Sequence, residues 1–237
     1  MEGNDAGNKQ AGGDMTDRYP QLTEQYAPDA VILGDGDYPR HALPLRILHN
    51  ARYLCCCDGA GAAFIKQGGM PHAIVGDGDS LSPTFKQQYA SLIHLIDEQD
   101  NNDLTKATHH CMSCGARRIA YLGATGKRDD HTIGNISLLM RYYREFGLFP
   151  VMITDFGYFT PASGTCRFDT FCGQQVSIFN FGCTELRGDG FRWAPYAYSS
   201  LWQGTLNEAL GTEVQLCGNG CFLVYRAFSP LKDNRLS

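Results

Sequence analysis

Acidic side chains recur in short segments that each follow an apolar run. Asp77 and Asp79 stand two residues apart, and in an extended segment that spacing directs both carboxylates to one side. Asp100 and Asp103 stand three apart after the next apolar run, so both can face the same way where a helix begins. Mg²⁺ prefers hard oxygen ligands and usually takes a few carboxylates together with water and substrate phosphate. The four residues therefore predict a Mg²⁺ site.

Simpler roles for these acids stay open from the sequence alone. A turn or a helix cap accounts for either pair by itself, and Asn102 or Asp103 is a candidate cap for a helix that begins at residue 104. A third acidic pair, Asp35 and Asp37, leads directly into Tyr38 and a proline. A tight turn explains that pair, so we leave it out of the metal site.

A glycine-containing turn with two cations follows the apolar residues 118–122. Gly123 and Gly126 allow backbone N–H groups to approach phosphate oxygens, and Lys127 and Arg128 add positive charge there. The turn lacks the Gly-Lys-Ser/Thr ending of a P-loop, and a pair of glycines alone is a weak signal. The turn nevertheless indicates a phosphate-binding segment.

Two polar residues continue this segment into the next predicted helix. His131 and Asn135 are four apart and therefore share one helix face. A helix cap or a core-facing histidine is the simpler alternative for His131.

The elements that carry these segments alternate between strand and helix patterns. Apolar runs predict strands at residues 30–33, 53–57, 73–75, 92–96 and 118–122. Amphipathic stretches predict helices at residues 43–50, 61–67, 83–90, 104–114 and 132–146. This alternation is typical of a parallel sheet with helices on both faces. In such a sheet the loops that follow the strands meet at one edge, so the segments described above are expected to converge.

The pattern changes after Gly147. Short strand-like stretches at residues 151–154, 175–179 and 221–226 are separated by glycine-containing turns. We therefore predict a polar, loose leader over residues 1–27, an α/β nucleotide-binding domain over residues 28–148, and an all-β domain over residues 149–237.

Composition excludes several classes of protein. The chain has 237 residues and a net charge of −5 without a basic stripe, so it lacks the electrostatic footprint of a nucleic-acid binder. No apolar run approaches the roughly 20 residues that span a bilayer, and no signal peptide is evident. We expect a cytoplasmic protein that has neither a nucleic-acid nor a membrane partner. Its ten cysteines are expected to be reduced thiols, buried or incidental, because a chain of this size without a secretion signal rarely depends on disulfides.

Taken together, the segments resemble the thiamine pyrophosphokinase family over most of the chain from about residue 30 onward. The order and spacing of the segments make the match far more specific than any one of them. The matching segments are Asp58-Gly-Ala, Gly76-Asp77-Gly-Asp79-Ser80, Asp100-Asn-Asn-Asp103-Leu-Thr105-Lys106-Ala, and Gly123-x-x-Gly126-x-Arg128-x-Asp130-His131-x-x-x-Asn135.

The resemblance implies an α/β ATP-binding domain followed by a β-sandwich, and transfer of diphosphate from ATP to the hydroxyl of thiamine. It implies that the four aspartates hold Mg²⁺ and that Arg128 and Asp130 are catalytic, Asp130 also lying near thiamine. The residues that the resemblance assigns to ATP are Asp58, Gly59, Lys106, Gly123, Gly126, Lys127, Arg128, His131 and Asn135.

The second domain adds two matching segments. Residues 190–193 look like the family's Gly-Leu-Lys-Trp segment, and residues 204–208 look like its Ser-Thr-Ser-Asn segment. By resemblance Trp193 stacks on thiamine, with Thr205 and Asn207 near it, at a site between the subunits of a homodimer. A ring stacked on a cationic heterocycle is physically reasonable, and a buried core aromatic is the alternative for Trp193.

Three other functions are compatible with the same residues. A pyrophosphokinase for another hydroxymethyl heterocycle, such as a pterin, would use the same phosphate-binding groups. A non-catalytic nucleotide sensor would bind ATP but would not need the acidic cluster. A metal-dependent phosphohydrolase is less consistent with acidic loops that contain few histidines.

Overall fold

The computed structural model of the protein describes residues 16–230, and within that span it contains five α-helices, twelve strands and one 3₁₀ helix. The strands are β1 Asp17–Tyr19, β2 Ala30–Leu33, β3 Leu54–Cys57, β4 Ala73–Gly76, β5 Ile93–Leu95, β6 Arg118–Leu122, β7 Phe149–Ile153, β8 Gly157–Asp169, β9 Gln174–Phe181, β10 Leu186–Asp189, β11 Asn207–Glu208 and β12 Glu213–Pro230. The helices are α1 Ala42–His49, α2 Asp58–Lys66, α3 Pro83–Gln88, α4 Asp103–Ser113 and α5 Asp129–Arg144, and the 3₁₀ helix is Leu201–Gly204.

Six strands pair in parallel in the order β7-β6-β2-β3-β4-β5. Alternate residues of β2 face opposite sides: Ile32 packs into a core that includes α4 and α5, whereas Val31 and Leu33 pack into a core that includes α1 and α2. Helices therefore cover both faces, as the strand and helix alternation predicted, and burial on both faces explains why these strands read as unbroken apolar runs.

The strand order reverses direction beside β2. From β2 the chain proceeds through β3, β4 and β5 on one side, and then returns to place β6 and β7 on the other. The loops that follow β2 and β6 therefore start from neighbouring strand ends, and the chain continues from them toward opposite sides of the sheet. Such a reversal opens a crevice at the carboxyl edge of an α/β sheet, which is where ligands bind in these folds.

The remaining strands extend the same sheet with antiparallel pairing. β8 pairs antiparallel with β7 and with the long strand β12, whose register shifts between Gly218 and Cys221. Beyond that irregularity β12 changes partner, pairing with β10 in its first half and with β9 in its second. A second apolar core that includes Phe168 and Phe222 lies within this region. The protein is thus a mixed α/β structure built around one large sheet.

Two sequence-based expectations need correction here. The expectation places residues 151–154 in the all-β region, but β7 pairs in parallel with β6. The chain leaves β6, forms α5 and returns as β7, so this strand belongs to the parallel part of the sheet. The helix predicted over residues 61–67 begins three residues earlier, at Asp58, and its Gly61 lies directly against Ile74, where a side chain would collide.

The predicted loose leader is also wrong for its described part, while residues 1–15 lie outside the described span. β1 pairs in parallel with residues 166–168 of β8, and the ring of Tyr19 stacks on Phe168 at 4.8 Å. The buried guanidinium of Arg226 donates to the carbonyl oxygen of Tyr19 at 3.0 Å. These contacts join residues distant in sequence, so they leave no local periodic pattern.

The cysteines agree with the expectation of reduced thiols. All ten lie within the described residues and are free, and Cys55, Cys56 and Cys57 are buried in β3. Among residues 16–230 no helix has the length and apolar character required to cross a membrane.

Asp29 clamps the first residues of the parallel sheet, and this clamp makes stability depend on acid pH. Its carboxylate accepts from the backbone N–H groups of Arg117 and Arg118 at 3.0 and 2.8 Å and pairs with the guanidinium of Arg118. These interactions lower the pKa of Asp29 to about 2. Because this lies below the value in an unfolded chain, the stabilisation is complete above about pH 4 and is lost as the pH falls toward 2.

We expect Asp29→Asn to lower the free energy of unfolding at pH 7 by about 1–2 kcal/mol, a value reduced for the partial exposure of the pair. The deficit should shrink as denaturation is measured at successively lower pH. Glu145→Gln is the control, because its pair with Arg141 is an exposed contact one helical turn long that contributes a few tenths of a kcal/mol. A deficit of Asp29→Asn that stayed constant down to pH 2 would contradict this role.

Candidate active site

A cavity of about 320 Å³ lies at the point where the strand order reverses. The loops after β2 and β6 form one wall, and the first turns of α4 and α5 form the other. The lining residues are Gly34, Asp35, Gly36, Cys57, Asn102, Asp103, Leu104, Gly123, Ala124, Gly126, Lys127, Arg128, His131 and Asn135.

The loops after β2 and β6 are joined through their backbones. Gly36 N–H donates to the carbonyl of Gly123 at 2.6 Å, and Asp37 N–H donates to that of Thr125 at 2.8 Å. A side chain at residue 36 would meet the carbonyl oxygen of Thr125, and one at residue 126 would meet the carboxylate of Asp37. The two glycines therefore permit an approach that no larger residue allows.

This arrangement corrects the interpretation of residues 34–37 as only a tight turn. Gly34, Asp35 and Gly36 line the cavity and are therefore part of the candidate site. Their position in the sequence indicates this role, because they directly follow β2, just as the other site segments directly follow a parallel strand.

The two cations of the second loop lie at the cavity, and each has an acidic partner. Lys127 Nζ is 2.9 Å from Asp35 Oδ1. Arg128 donates to both carboxylate oxygens of Asp130, at 3.1 and 2.6 Å. The arginine lowers the pKa of Asp130 to about 2. Both pairs are exposed to solvent, so either can be exchanged for an anionic ligand at little cost.

His131 and Asn135 line the same cavity from α5, as the sequence predicted. His131 is exposed, so it is not a core histidine. Asn135 donates to the carbonyl of Ala124 at 2.8 Å and accepts from Asn102 at 3.1 Å. Asn102 also caps α4 by accepting from Thr105 N–H at 3.0 Å. The capping role left open for Asn102 is therefore confirmed, and the cap ties α4 to α5.

The carboxylates of Asp58, Asp77 and Asp103 interact electrostatically, and Asp103 lines the cavity. Asp58 is 4% exposed; its Oδ2 accepts from Gly78 N–H at 2.7 Å, and its Oδ1 is buried with no partner. Burial raises the pKa of Asp58, and the negative charges of Asp103 and Asp77 add to the shift. Burial likewise raises the pKa of Asp103, against the opposing charge of Lys106. The pKa of Asp77 is lowered, mainly because Asp77 accepts from the backbone N–H of Asp79.

The remaining predicted site residues differ in their surroundings. The side chains of Asp79 and Asp100 are exposed on their loops. Lys106 is 3% exposed, with Nζ 3.8 Å from Asp103, and lies outside the lining of the cavity. Gly59 is the second residue of α2, next to the carboxylate of Asp35. Within residues 16–230 no three histidine, cysteine, aspartate or glutamate side chains lie close enough together to enclose a metal ion.

Of the residues assigned to thiamine by resemblance, Asp130 lies in the first turn of α5, and the other three lie in the antiparallel region. Trp193 is 57% exposed, so the alternative of a buried core aromatic is wrong. Asn207 is buried and fixes the backbone of Trp193, donating to its carbonyl at 2.7 Å and accepting from its N–H at 3.2 Å. Thr205 is exposed, and its hydroxyl donates to the carbonyl of Trp202.

Large apolar side chains are exposed throughout this segment. Their number is unusual, because most large apolar side chains of a soluble monomer are at least partly covered. They are Trp193, Tyr196, Leu201, Trp202, Leu206 and Leu210, each more than half exposed; we call this set the apolar patch.

Comparison with known proteins identifies two matching family models. Residues 45–148 match the catalytic domain of thiamin pyrophosphokinase, and residues 157–225 match the substrate-binding domain of thiamin pyrophosphokinase. The first match contains Asp58, Asp77 and Asp103, and the second contains the apolar patch.

Curated relatives and solved structures agree with these matches. Thiamin pyrophosphokinase 1 of Caenorhabditis elegans is 33% identical over 103 residues, 40% of this chain and 42% of the relative. Thiamine pyrophosphokinase 1 of Oryza sativa subsp. japonica is 32% identical over 149 residues, 52% of this chain and 55% of the relative. The chain thus spans about half the length of the curated relatives it matches.

The fold also matches solved structures at low identity. Thiamin pyrophosphokinase from Candida albicans superposes with a TM-score of 0.72 at 15% identity, covering 90% of this chain and 93% of that one. The thiamine pyrophosphokinase from Bacillus subtilis superposes with a TM-score of 0.68 at 19% identity, covering 84% and 98%. Because the two family models match adjoining parts of the chain, and because the curated relatives carry the same family name, the chain belongs to the thiamin pyrophosphokinase family.

Proposed function

We propose that the protein transfers the diphosphate group of ATP to the hydroxyl of thiamine, forming thiamine diphosphate and AMP. The observation that carries this proposal is the cavity at the strand reversal, which has a glycine turn and two cations on one side and Asp103 on the other. The matches to both family domains support the choice of substrates.

The phosphates of ATP are expected beside residues 123–128. α5 begins at Asp129, directly after this loop, and helix N-termini attract anions. Lys127 and Arg128 would neutralise charge on the phosphate oxygens after leaving their acidic partners. His131 and Asn135 line the same wall and would contact the nucleotide.

The acidic group suits Mg²⁺ in chemical type. Its donors are hard carboxylate oxygens, and the unpartnered, buried Oδ1 of Asp58 marks a position where positive charge is favoured. We propose Asp77, Asp79, Asp100 and Asp103 as the ligands, with Asp58 holding the loop of Asp77 through Gly78. Bound there, Mg²⁺ would neutralise part of the charge of the triphosphate.

The reaction requires positioning more than a strong base. The thiamine hydroxyl attacks the β-phosphorus, a new oxygen–phosphorus bond forms, and the bond to the bridging oxygen of AMP breaks. Such transfers are accelerated chiefly by orientation and by electrostatic stabilisation of the equatorial oxygens. Arg128 is suited to that stabilisation, and Asp130, ionised because its pKa is held low, is suited to orient the hydroxyl.

We further propose a homodimer in which the apolar patch packs against a second copy. Trp193 would stack on the cationic ring of thiamine, with Thr205 and Asn207 beside it. The exposure of these side chains, which lie within residues 193–210, supports this proposal, since exposed apolar patches mark interaction sites. The cytoplasmic location predicted from the sequence belongs to the same proposal.

The first test incubates the purified protein with Mg²⁺-ATP and thiamine and quantifies AMP and thiamine diphosphate together. We expect equal amounts of both and neither product without thiamine. A hydroxymethyl pterin in place of thiamine is the matched acceptor control. Product only with the pterin would replace the substrate, AMP or ADP without any acceptor would indicate a hydrolase, and nucleotide binding without turnover would indicate a sensor.

Substitution of each proposed ligand tests the metal site. Asp77→Asn, Asp79→Asn, Asp100→Asn and Asp103→Asn are each expected to lower kcat by about 100-fold or more, as loss of one transition-state charge contact does elsewhere. Each should also raise the Mg²⁺ concentration needed for half-maximal rate.

Asp97→Asn is the control, since Asp97 is an exposed acid on the same loop as Asp100. Its rate should equal that of the unaltered protein. Any one of the four variants that kept a normal rate and Mg²⁺ dependence would be removed from the ligand set.

The most exposed member of the apolar patch tests the homodimer. Trp202 is 74% exposed, and removing a central interface tryptophan commonly weakens association by about 30-fold or more. We expect Trp202→Ala to shift sedimentation toward monomer at micromolar concentration. Phe156→Ala, a change at an equally exposed aromatic outside the patch, should leave it unchanged. An unaltered protein that sedimented as a monomer at high concentration would exclude the homodimer.

A further inference from the structure

Asp35 and Lys127 form an ion pair across the wall of the cavity. The two residues belong to the different loops that follow β2 and β6, and Lys127 Nζ lies 2.9 Å from Asp35 Oδ1. Lys127 belongs to the proposed phosphate-binding loop, and its ammonium group is paired there with Asp35.

The backbone of Lys127 is held in an unfavourable conformation. Its φ of 56° lies in the left-handed region, which among residues 16–230 only one other non-glycine residue, Leu206, shares. A bulky side chain there has an energetic cost that glycine avoids. Strain of this kind persists where the surroundings impose it and concentrates at functional sites, and the contact with Asp35 is the described interaction that fixes the ammonium group.

Asp35 also lies against the segments that carry the acidic group. A side chain at residue 59 would sit 3.2 Å from Asp35 Oδ2 and 3.6 Å from the hydroxyl of Ser80. The carboxylate thus lies between the phosphate-binding loop, the first turn of α2 and the loop that follows Asp79. A polyphosphate that binds Lys127 therefore competes with this negative charge.

We propose that Asp35 is a gating residue for nucleotide binding: it holds Lys127 through their ion pair and releases it only to a ligand with enough phosphate charge to take its place. The inference rests on the proposed function and deepens it, because it assigns charge selectivity to this chain's own ion pair. Asp35 acts through Lys127 and contributes no group to the reaction.

The ion pair should change the affinity for polyphosphate in a defined direction and by a defined amount. A nucleotide that takes Lys127 must first break an exposed ion pair, and such pairs reduce affinity by at most about fivefold. Removing the charge of Asp35 should therefore strengthen polyphosphate binding by about three- to fivefold. It should leave a ligand without phosphates unaffected.

The test measures dissociation constants by calorimetry with Mg²⁺ present, using α,β-methylene-ATP, which cannot react at the bridging position, and adenosine as the phosphate-free ligand. Asp35→Asn should bind the analogue about three- to fivefold more tightly and adenosine equally. Asp35→Glu should restore the original affinity. In turnover assays Asp35→Asn should lower KM for ATP and not raise kcat.

Two further variants distinguish the effect of the ion pair from a general effect of negative charge and from an effect on folding. Asp37→Asn removes the same charge two residues away, where no pair with Lys127 exists, and should change affinity by less than about 1.5-fold. In a Lys127→Gly background, which relieves the left-handed backbone, the effect of Asp35→Asn should disappear.

Several results would overturn the gate. It is wrong if Asp35→Asn leaves binding of the analogue unchanged, if adenosine binding changes by the same factor, or if the effect persists without Lys127. A protein that bound the analogue and turned over normally would then keep the proposed function and lose only the gate. Failure of the unaltered protein to bind the analogue would exclude both.

Discussion

The backbone hydrogen bonds between residues 34–37 and 123–126 are the constraint on which the rest of the site depends. They join two loops that leave neighbouring strands just where the strand order reverses. A reversal alone would leave an open crevice. Because Gly36 and Gly126 lack side chains, the two loops approach to hydrogen-bonding distance. Together they form one continuous wall of the cavity. The cations of the second loop, the first turn of α5 and the acid of the first loop all take their positions from that wall.

Charge is distributed unevenly around this wall. On one side are two cations, each paired with an exposed acid; on the other are carboxylates that burial and mutual repulsion make costly to ionise. Lys106, buried beneath Asp103, compensates part of that cost. Such an arrangement is stabilised by a ligand that brings negative phosphate and a hard cation together.

Much of this organisation was predictable from the sequence, and the exceptions share a cause. The parallel strands and their helices follow local periodicity, and the residues after those strands were expected at one edge because parallel strands share a direction. Residues 34–37 follow the same rule, yet they resembled an ordinary turn because their partner loop lies about 90 residues away. β1 escaped prediction for the same reason, since its partner is in β8. The exposure of Trp193 could not be predicted from its neighbours in sequence either, because the backbone of Trp193 is fixed by Asn207, 14 residues away. Non-local pairing and close backbone approach leave little trace in composition or period.

The hydrogen-bonded ladder continues without interruption from β5, through the parallel strands, to β8, β12 and beyond. A chain built from separable lobes can swing them together around a connecting segment, but here such a swing would break strand pairing between β7 and β8. The parallel and antiparallel regions are therefore held together by one continuous sheet. A rotation of one region against the other is opposed by the sheet itself, whereas loops and side chains outside the ladder stay free to rearrange.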